Sequence, residues 1–367
     1  MNEKAPEMLA LLKNVIELES PSLDKETTDK LSAFLKAKFA GLGARTEFIP
    51  QTDVGDHVRV EWGEGDEQVL VLCHMDTVWA KGEVEKRPFK IEDGKAFGPG
   101  AMDMKGGIVQ AFFAMKALVD LGIKPSKRIV VLLNTDEEIG SPTSRPIIEE
   151  EAKKSRCVFV LEPPVGTAIK TFRKGVGMFR VKATGRPAHA GADPEKGISA
   201  IGEMAHQVLK LHALNNRETG TTVNVGVING GTRSNVVAAE CNIQVDLRVK
   251  SAVEAERVVP EIMNLKPVLE GAKLEVTGGM NRPPMERTPK IVEMYQKAKS
   301  LAAELGFDLP ETGTGGGSDG NFTAALGVPT LDGLGSVGEG GHGPVEFVIA
   351  EHMPQRAALL TRLFETI

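Results

Sequence analysis

The chain contains little cysteine. Its 367 residues include three, Cys73, Cys157 and Cys241, and none of them belongs to a CxxC pair. All three lie within apolar segments typical of strands, where a cysteine behaves as a small buried hydrophobic residue. A low, odd number of buried thiols fits a reducing cytoplasm, which is the localisation that we predict.

Other absences exclude whole classes of partner. The formal net charge is −6, which argues against a nucleic-acid-binding surface. No apolar run approaches the roughly 20 residues that a membrane-spanning helix needs, so we expect no membrane partner. The opening segment MNEKAPEMLALLKNV has two acidic residues and no long apolar core, unlike a signal peptide, although the sequence leaves open a removed leader peptide.

The apolar segments that are present predict a layered α/β domain. Strands 68–73, 128–134 and 157–161 alternate with helices at about 105–121 and 144–152. Strands separated by helices of this length form a mostly parallel sheet with helices on both faces. The runs VLVLC, IVVLL and VFVL are continuously apolar, as expected for strands that are buried on both faces.

The pattern changes after Lys174, and the chain length also favours two domains. A strand, a helix, two strands, a helix and a strand follow, which is the β-α-β-β-α-β order of a ferredoxin-like α+β unit. We predict that this domain is inserted between the two halves of the first. The predicted bounds are 1–173 and 285–367 for the first domain and 174–284 for the insertion.

Histidine and acidic residues follow the predicted strands at or just beyond their carboxyl ends. That edge of an open α/β sheet is where ligands bind. Taken alone, each residue has an ordinary explanation: Asp103 could cap a helix, and His342 could be an exposed loop residue. Together they offer two imidazoles and several carboxylates, which is the ligand set for a pair of divalent metal ions.

These residues divide into two sets of three. We assign His74 and Glu162 to one zinc ion, Glu138 and His342 to the other, and Asp103 to both. Three protein ligands with an open fourth position are typical of a catalytic zinc site. Two metals about 3.5–4 Å apart can share a bridging hydroxide near neutral pH. We therefore predict two Zn²⁺ per subunit, with Co²⁺ or Mn²⁺ as alternatives that the same ligands would fit.

Two further acids are predicted to support the metals. Asp76 lies two residues after His74 and on the same side of a strand, so it can accept the proton of the second ring nitrogen. Asp136, Glu137 and Glu138 would repel one another unless cations or protons neutralised them. Neighbouring acids point in different directions, so we expect Glu137 to act on water as a general base while its neighbour binds metal.

Seven segments of the chain resemble one enzyme family. HMDTV, GPGAMDMKGG, TDEEIGS, LEPP, GRPAHAG, GGTRSN and GHGP are similar to motifs of the di-zinc metallopeptidases that include glutamate carboxypeptidase, aminoacylase and succinyl-diaminopimelate desuccinylase. The resemblance covers nearly the whole chain and is closest to the bacterial glutamate carboxypeptidase branch. It implies the same five ligands and the same roles for Asp76 and Glu137. The family usually has an acid where this chain has Met104. We expect this position to affect the backbone geometry of the loop and not to remove function.

The resemblance also implies roles for the inserted domain as a lid that dimerises. His189 would bind the developing oxyanion, in its own or in the partner subunit. Asn235 and Arg248 would hold the substrate carboxylate, Arg248 with two parallel hydrogen bonds. The ordinary alternatives are a loop histidine, a turn residue and a surface ion pair.

The predicted activity is hydrolysis of an amide bond that releases a C-terminal amino acid from a small peptide. The alternative is an N-acyl amino acid deacylase, which breaks the same type of bond. A third hypothesis, a non-catalytic carboxylate-binding protein, has no use for an unligated acid such as Glu137. The glycine-rich segment TGTGGGSDGN lacks the Lys-Ser/Thr of a phosphate loop, and we expect its Ser318 and Asp319 to touch the substrate.

Overall fold

The computed structural model describes all 367 residues and contains two compact units. The first unit comprises Met1–Phe172, Arg287–Thr314 and Ser318–Ile367. The second unit comprises Arg173–Glu286 together with Gly315–Gly317. Each unit has a hydrophobic core of its own.

Strands and helices are numbered separately along the chain. The strands are β1 (Arg45–Ile49), β2 (His57–Trp62), β3 (Gln68–His74), β4 (Lys90–Glu92), β5 (Lys95–Phe97), β6 (Arg128–Asn134), β7 (Ser155–Val160), β8 (Ile169–Arg173), β9 (Gly175–Thr184), β10 (Thr222–Gly230), β11 (Glu240–Val249), β12 (Lys273–Arg282), β13 (Glu311–Thr314), β14 (Thr330–Leu331), β15 (Gly338–Glu339) and β16 (Phe347–Ile349). The helices are α1 (Ala5–Glu17), α2 (Lys25–Ala40), α3 (Glu83–Lys86), α4 (Gly106–Leu121), α5 (Arg145–Lys153), α6 (Ala200–His212), α7 (Ala252–Met263), α8 (Pro289–Glu304), α9 (Gly320–Ala325) and α10 (His352–Thr366).

The main sheet of the first unit has the strand order β1-β2-β6-β3-β7-β14. Strands β6, β3, β7 and β14 are parallel, whereas β2 pairs antiparallel with both β1 and β6. Every residue of β3 is buried, as its continuous apolar run predicts. The α/β prediction is confirmed, but the sheet is mixed because of β1 and β2. Sequence patterning missed these two strands because they are short and interrupted by charged residues.

Helices cover both faces of this sheet. On one face, Leu70, Val130 and Val158 pack with Ile148 of α5 and Phe322 of α9. On the other face, the ring of Phe159 lies 6.3 Å from that of Phe364 in α10. Alternate residues of each strand therefore contribute to different helical layers. None of the helices is both long enough and apolar enough to cross a bilayer.

A second, smaller sheet brings two distant loops together. Its strand order is β15-β16-β5-β4, and Phe97 of β5 pairs with Phe347 of β16, with ring centroids 5.3 Å apart. The segment 98–105 continues from β5, and the segment 340–346 leads into β16. This pairing places a loop from the first third of the chain beside a loop near its end.

The second unit has the predicted ferredoxin-like order. Its four-stranded antiparallel sheet runs β10-β11-β9-β12, and helices α6 and α7 cover one face. Strand β11 begins at Glu240, and a turn closed by the hydrogen bond from Val236 N to Arg233 O precedes it. The glycine triplet 315–317, which the predicted bounds leave in the first domain, belongs to this unit.

All three cysteines are free and buried, as the sequence predicts. Burial raises the pKa of the Cys157 thiol to about 12 and that of Cys73 still further. At neutral pH these thiols are protonated and unreactive, which leaves them a packing role.

Candidate dinuclear metal centre

The structure brings the five predicted ligands together at the carboxyl edge of the main sheet. His74 is the last residue of β3, and Glu162 lies two residues beyond β7. Glu138 lies in the short 3₁₀ turn Glu137–Ile139, which follows β6. Asp103 belongs to the irregular turn Ala101–Lys105, and His342 to the loop before β16.

The five side chains form two groups that share Asp103. In one group, His74 Nε2 lies 3.0 Å from Asp103 Oδ1 and 3.3 Å from Glu162 Oε1. In the other, His342 Nε2 lies 3.3 Å from Asp103 Oδ2 and 3.0 Å from Glu138 Oε2. Within each group all the potential ligand atoms lie within 4.8 Å of one another. Each oxygen of Asp103 therefore faces a different histidine.

These separations fit a metal ligand set. In a tetrahedral zinc site with bonds of about 2.0–2.1 Å, two ligand atoms lie about 3.3 Å apart. The nitrogen–oxygen distances in both groups, 3.0–3.3 Å, are close to that value. Imidazole and carboxylate donors suit zinc and, among other first-row metals, cobalt and manganese. The residues present could thus hold two ions with little movement.

The electrostatics of the cluster favour positive charge. Burial acts to lower the pKa of His74, but the surrounding carboxylates, Asp103 foremost, outweigh it and hold that pKa well above its usual value. Hydrogen bonds to Asp103 and Glu138 raise the pKa of His342 to about 11. Burial also acts to raise the pKa of Asp103, yet the two histidines hold it well below its usual range. Divalent cations would supply the charge that the clustered acids stabilise.

Asp76 makes different contacts from those predicted. Its carboxylate Oδ1 lies 3.6 Å from His74 Nδ1, too far for a hydrogen bond, whereas its backbone carbonyl lies 3.0 Å away and orients the ring. The carboxylate instead accepts hydrogen bonds from Glu137 N at 3.2 Å, Glu138 N at 3.1 Å and Ser22 Oγ at 2.7 Å. The buried side chain of Asp76 thus holds the turn that presents the two glutamates.

Asp136 has a structural role in the same turn. Its Oδ2 accepts hydrogen bonds from Thr143 N and Thr143 Oγ1, both at 2.7 Å, and from Ser144 N at 3.1 Å. The residue is fully buried. Of the three consecutive acids, Glu137 and Glu138 remain for the site.

The prediction that Ser318 and Asp319 touch the substrate is wrong in this structure. Both are buried, and Ser318 Oγ donates to Asp332 Oδ2 at 2.5 Å. Asp319 accepts a hydrogen bond from Asn134 Nδ2 at 2.7 Å and another from Ser141 Oγ. These polar residues tie α9 to the loop after β6, a contact between segments that sequence spacing alone does not reveal.

Glycines allow two close approaches that the site needs. A Cβ on Gly107, at the start of α4, would lie 2.3 Å from the carbonyl oxygen of Leu161, beside Glu162. Gly340 has φ +85°, and a Cβ there would lie 1.7 Å from the carbonyl oxygen of Val345. The loop that carries His342 is therefore compact only because of glycine.

Met104 contacts the first histidine from behind. Its side chain is buried, and its Sδ accepts a hydrogen bond from His74 N at 3.1 Å. The polarizable thioether of Met104 therefore fills the space beside His74.

Glu346 also supports the site, although it belongs to none of the sequence motifs. This buried residue accepts hydrogen bonds from three backbone N–H groups, those of Gly100 at 2.8 Å, Met102 at 2.9 Å and Asp103 at 3.0 Å. An acid directly before the apolar segment Phe347–Ile349 is the one sequence signal that marks it. Its partners are backbone N–H groups more than 240 positions away, and no sequence pattern marks a backbone N–H as the partner of a distant acid.

The three predicted lid residues all lie in the second unit. His189 is exposed, and its Nδ1 accepts hydrogen bonds from Gly191 N at 3.2 Å and Ala192 N at 3.1 Å. Asn235 is exposed in the turn before β11, and its backbone carbonyl accepts from Ala190 N at 3.0 Å. His189 and Asn235 therefore lie in adjacent segments.

Arg248 already has a carboxylate partner. Its Nε and Nη2 donate to Asp246, at 2.9 Å to Oδ1 and 2.8 Å to Oδ2, and its Nη1 donates to the carbonyl oxygen of Gly315 at 3.2 Å. The edge formed by Nη1 and Nη2 is the one left for a second carboxylate. The surface ion pair, the ordinary alternative for this residue, is present in the structure.

Comparison with known proteins assigns the chain to a family. The family model described as Peptidase family M20/M25/M40 matches residues 70–366. The chain belongs to this family. The resemblance noted from the motifs is confirmed, and so is the prediction that this M20 protein is a metallopeptidase-type hydrolase.

Two curated relatives of the M20 chain differ in how much of it they match. Carboxypeptidase G2 of Pseudomonas sp. (strain RS-16) is 31% identical over 373 residues, which is 98% of this chain and 89% of that protein. Acetylornithine deacetylase of Edwardsiella ictaluri (strain 93-146) is 28% identical over 273 residues, which is 68% of this chain and 69% of that protein.

Solved structures share the fold of the M20 chain. Aminopeptidase PepT from Bacillus cereus ATCC 10987 has a TM-score of 0.81 at 22% identity and covers 98% of both chains. The YXEP protein of Bacillus subtilis, described as a dinuclear metal binding peptidase from the M20 family, has a TM-score of 0.70 at 16% identity and covers 99% of both chains. The family thus includes dinuclear peptidases, and the two ligand groups of this chain are suited to a metal pair.

Proposed function

We propose that this M20 enzyme is a di-zinc carboxypeptidase that releases a C-terminal amino acid from a small peptide, as a glutamate carboxypeptidase does. The observation that carries the proposal is Asp103, whose two oxygens face two separate His-Glu pairs. Similarity to carboxypeptidase G2 over 98% of the chain supports the carboxypeptidase class over the deacylase class.

Glu137 is the proposed general base. Zinc ions bound at the two groups would polarise the amide carbonyl and lower the pKa of the attacking water. Glu137 then takes the proton of that water and delivers it to the nitrogen of the leaving amine. Its backbone N–H is held by Asp76 Oδ1, so the turn that carries the base is fixed from behind.

His189 is the proposed hydrogen-bond donor to the tetrahedral oxyanion. Because its Nδ1 accepts two backbone N–H bonds, the neutral ring carries its proton on Nε2, where it can be donated outward. The residue is in the second unit, so the proposal requires that this unit close over bound substrate.

Replacing His189 by alanine should lower kcat by about 10²–10³-fold, the usual cost of losing one oxyanion donor. The zinc content should stay unchanged, because His189 is in neither ligand group. The measurements are steady-state kinetics and metal analysis. His206→Ala, which removes an exposed histidine of α6 in the same unit, is the matched control and should behave as wild type.

A subunit-mixing experiment distinguishes the two places where His189 could act. We propose that the protein is a homodimer through the second unit, and in support Val227 and Ile228 on the edge strand β10 are 42% and 55% exposed. Mixed dimers of His189→Ala and Glu137→Gln chains should regain activity if His189 serves the partner's site. Tagged chains that exchange without regaining activity would place it in its own subunit's site or outside catalysis.

Arg248 and Asn235 are the proposed holders of the substrate carboxylate. Asp246 fixes the guanidinium plane through Nε and Nη2, and a carboxylate at the Nη1–Nη2 edge would displace the weaker contact to Gly315. Asn235 lies in a segment that is hydrogen-bonded to the one carrying His189. A carboxylate clamp of this kind would favour substrates that end in a free amino acid.

Arg248→Ala should raise KM for substrates with a free α-carboxylate by about 10–150-fold, which corresponds to one charged hydrogen-bonded contact. Arg248→Lys should rescue poorly, since an ammonium cannot make two parallel bonds. Kinetics on matched free and amidated substrates test this. Arg257→Ala is the control, because Arg257 pairs with Glu254 in the same unit through the same two nitrogens. Equal losses on free and amidated substrates would exclude the clamp.

A substrate panel tests the proposed function itself. The zinc-loaded protein should cleave peptidyl or N-acyl glutamates and related C-terminal amino acids, and it should lose this activity when a chelator removes the metal. Preference for short N-acyl groups such as acetyl would favour the alternative deacylase, which similarity to acetylornithine deacetylase over 68% of the chain supports. The metal-free protein loaded with cobalt or manganese, assayed on the same panel, shows which metal supports the highest activity. Binding without turnover on the whole panel would refute both.

We also propose a cytoplasmic enzyme with no nucleic-acid or membrane partner. The support is the three free, buried thiols and the net charge of −6. Fractionation of cells that express the chain from its own gene tests the compartment.

A further inference from the structure

Glu346 joins the two loops that carry Asp103 and His342. Its Oε2 accepts the N–H of Gly100, and its Oε1 accepts the N–H groups of Met102 and Asp103. Its backbone carbonyl also accepts Gly98 N at 3.2 Å. Glu346 is 3% exposed, so these bonds are shielded from water.

No regular structure holds the Asp103 loop at this point. Asp103 and Met104 have non-helical backbone angles within the turn that precedes α4. Gly100 is buried, so an N–H without an acceptor there would be costly. The three hydrogen bonds to Glu346 therefore hold a segment that neither β5 nor α4 orders.

We propose that Glu346 is a positioning residue for the metal pair, one that holds Asp103 so that each of its oxygens faces one of the two histidines. This inference rests on the proposed function, since it assumes that the two groups bind metal. The hydrogen bonds of the Glu346 carboxylate go to backbone N–H groups and not to the side chains of Asp103 or His342. Glu346 therefore acts through the backbone of Asp103. Because Asp103 belongs to both groups, both metal positions depend on this contact.

The expected effect is on metal affinity rather than on the chemical step. Loss of a group that orients a metal ligand usually lowers metal affinity by about 10–100-fold. Glu346→Gln keeps one oxygen for Met102 and Asp103 but turns an NH₂ group towards the N–H of Gly100. Glu346→Ala removes all three acceptors. We therefore expect Glu346→Gln near the lower end of that range and Glu346→Ala near the upper end.

The experiment titrates zinc into metal-free wild type, Glu346→Gln and Glu346→Ala against a chromophoric chelator, with no activity measurement. Glu203→Gln is the matched control. Glu203 is likewise a buried glutamate that accepts backbone N–H groups, from Val268 at 3.0 Å and Leu269 at 2.7 Å, but it belongs to the core of the second unit. Glu203→Gln should bind zinc within about twofold of wild type, a tolerance well below the change expected at Glu346.

Each outcome has a separate meaning. If wild type binds two zinc ions and both Glu346 variants bind them equally tightly, the positioning role is wrong while the proposed function stands. If wild type binds fewer than two, the metal pair and the inference fail together. If Glu203→Gln weakens zinc as much as Glu346→Gln does, Glu346 contributes only general stability. If Glu346→Ala does not fold, Glu346→Gln alone decides between these outcomes.

A kinetic measurement separates positioning from catalysis. Saturating zinc should restore most of kcat to Glu346→Gln, because the residue contacts no substrate in this proposal. The same zinc concentration should not restore Glu137→Gln. Failure of excess zinc to restore Glu346→Gln, with both sites filled, would overturn the positioning role.

Discussion

Glu137→Gln is expected to keep both metals and to lose turnover by about 10²–10⁴-fold, the usual contribution of a general base. Glutamine has the shape of glutamate but cannot take a proton from water. Glu137 belongs to neither ligand group. The variant should keep the hydrogen bond from the backbone N–H of residue 137 to Asp76, so the turn should keep its shape. The measurements are metal analysis and kcat on the best substrate from the panel.

Glu138→Gln is the matched control for this variant. The two residues are neighbours in one 3₁₀ turn, and Asp76 holds the backbone N–H of both. Glu138 lies 3.0 Å from His342 Nε2 and completes the second group, so its variant should lose metal from that group. If Glu137→Gln lost a zinc ion instead, Glu137 would be a metal ligand, and its assignment as the general base would be wrong.

The grouping of the ligands was predictable because strand ends converge. His74, Glu138 and Glu162 each follow an apolar strand, and parallel strands end at one edge of a sheet. The histidine of the last loop could be added because it brings the second metal to three protein ligands, the number typical of a catalytic zinc site. The same reasoning could not find β1 or β2. These strands pair antiparallel on one side of the main sheet, and their charged residues interrupt the apolar run by which a buried strand is recognised.

Hydrogen bonds between distant segments were beyond sequence reasoning. Asp76 was predicted to face a ring two residues away, whereas its carboxylate holds backbone N–H groups about sixty positions later. Glu346 reaches more than 240 positions back. A backbone N–H is present at every residue except proline, so nothing in the sequence marks which ones an acid will hold. Arg248 shows the opposite case, a contact between residues that are close in the sequence. Its ion-pair partner in the structure is Asp246, two positions before it.

Asp103→Ala is expected to lose both metals together and, with them, all measurable turnover. The reason is geometric: Asp103 Oδ1 lies 3.0 Å from the nitrogen of His74, and Asp103 Oδ2 lies 3.3 Å from that of His342. Removing this side chain leaves each metal with two protein ligands instead of three, below the number typical of catalytic zinc. The measurement is zinc stoichiometry at a zinc concentration that saturates wild type, combined with kcat.

Single-histidine variants show whether the loss from Asp103→Ala comes from a shared ligand. His342 is half-exposed and contacts only the second group, so His342→Ala should weaken one metal and leave the other near its wild-type affinity. His74→Ala should weaken chiefly the other metal, although its burial makes a check of the unfolding midpoint necessary. Retention of two tightly bound ions by Asp103→Ala would show that the metals are held independently. Loss of both ions from His342→Ala would instead show that the second metal is needed to hold the first, because an ion at the second group would fix the Asp103 carboxylate that both groups share.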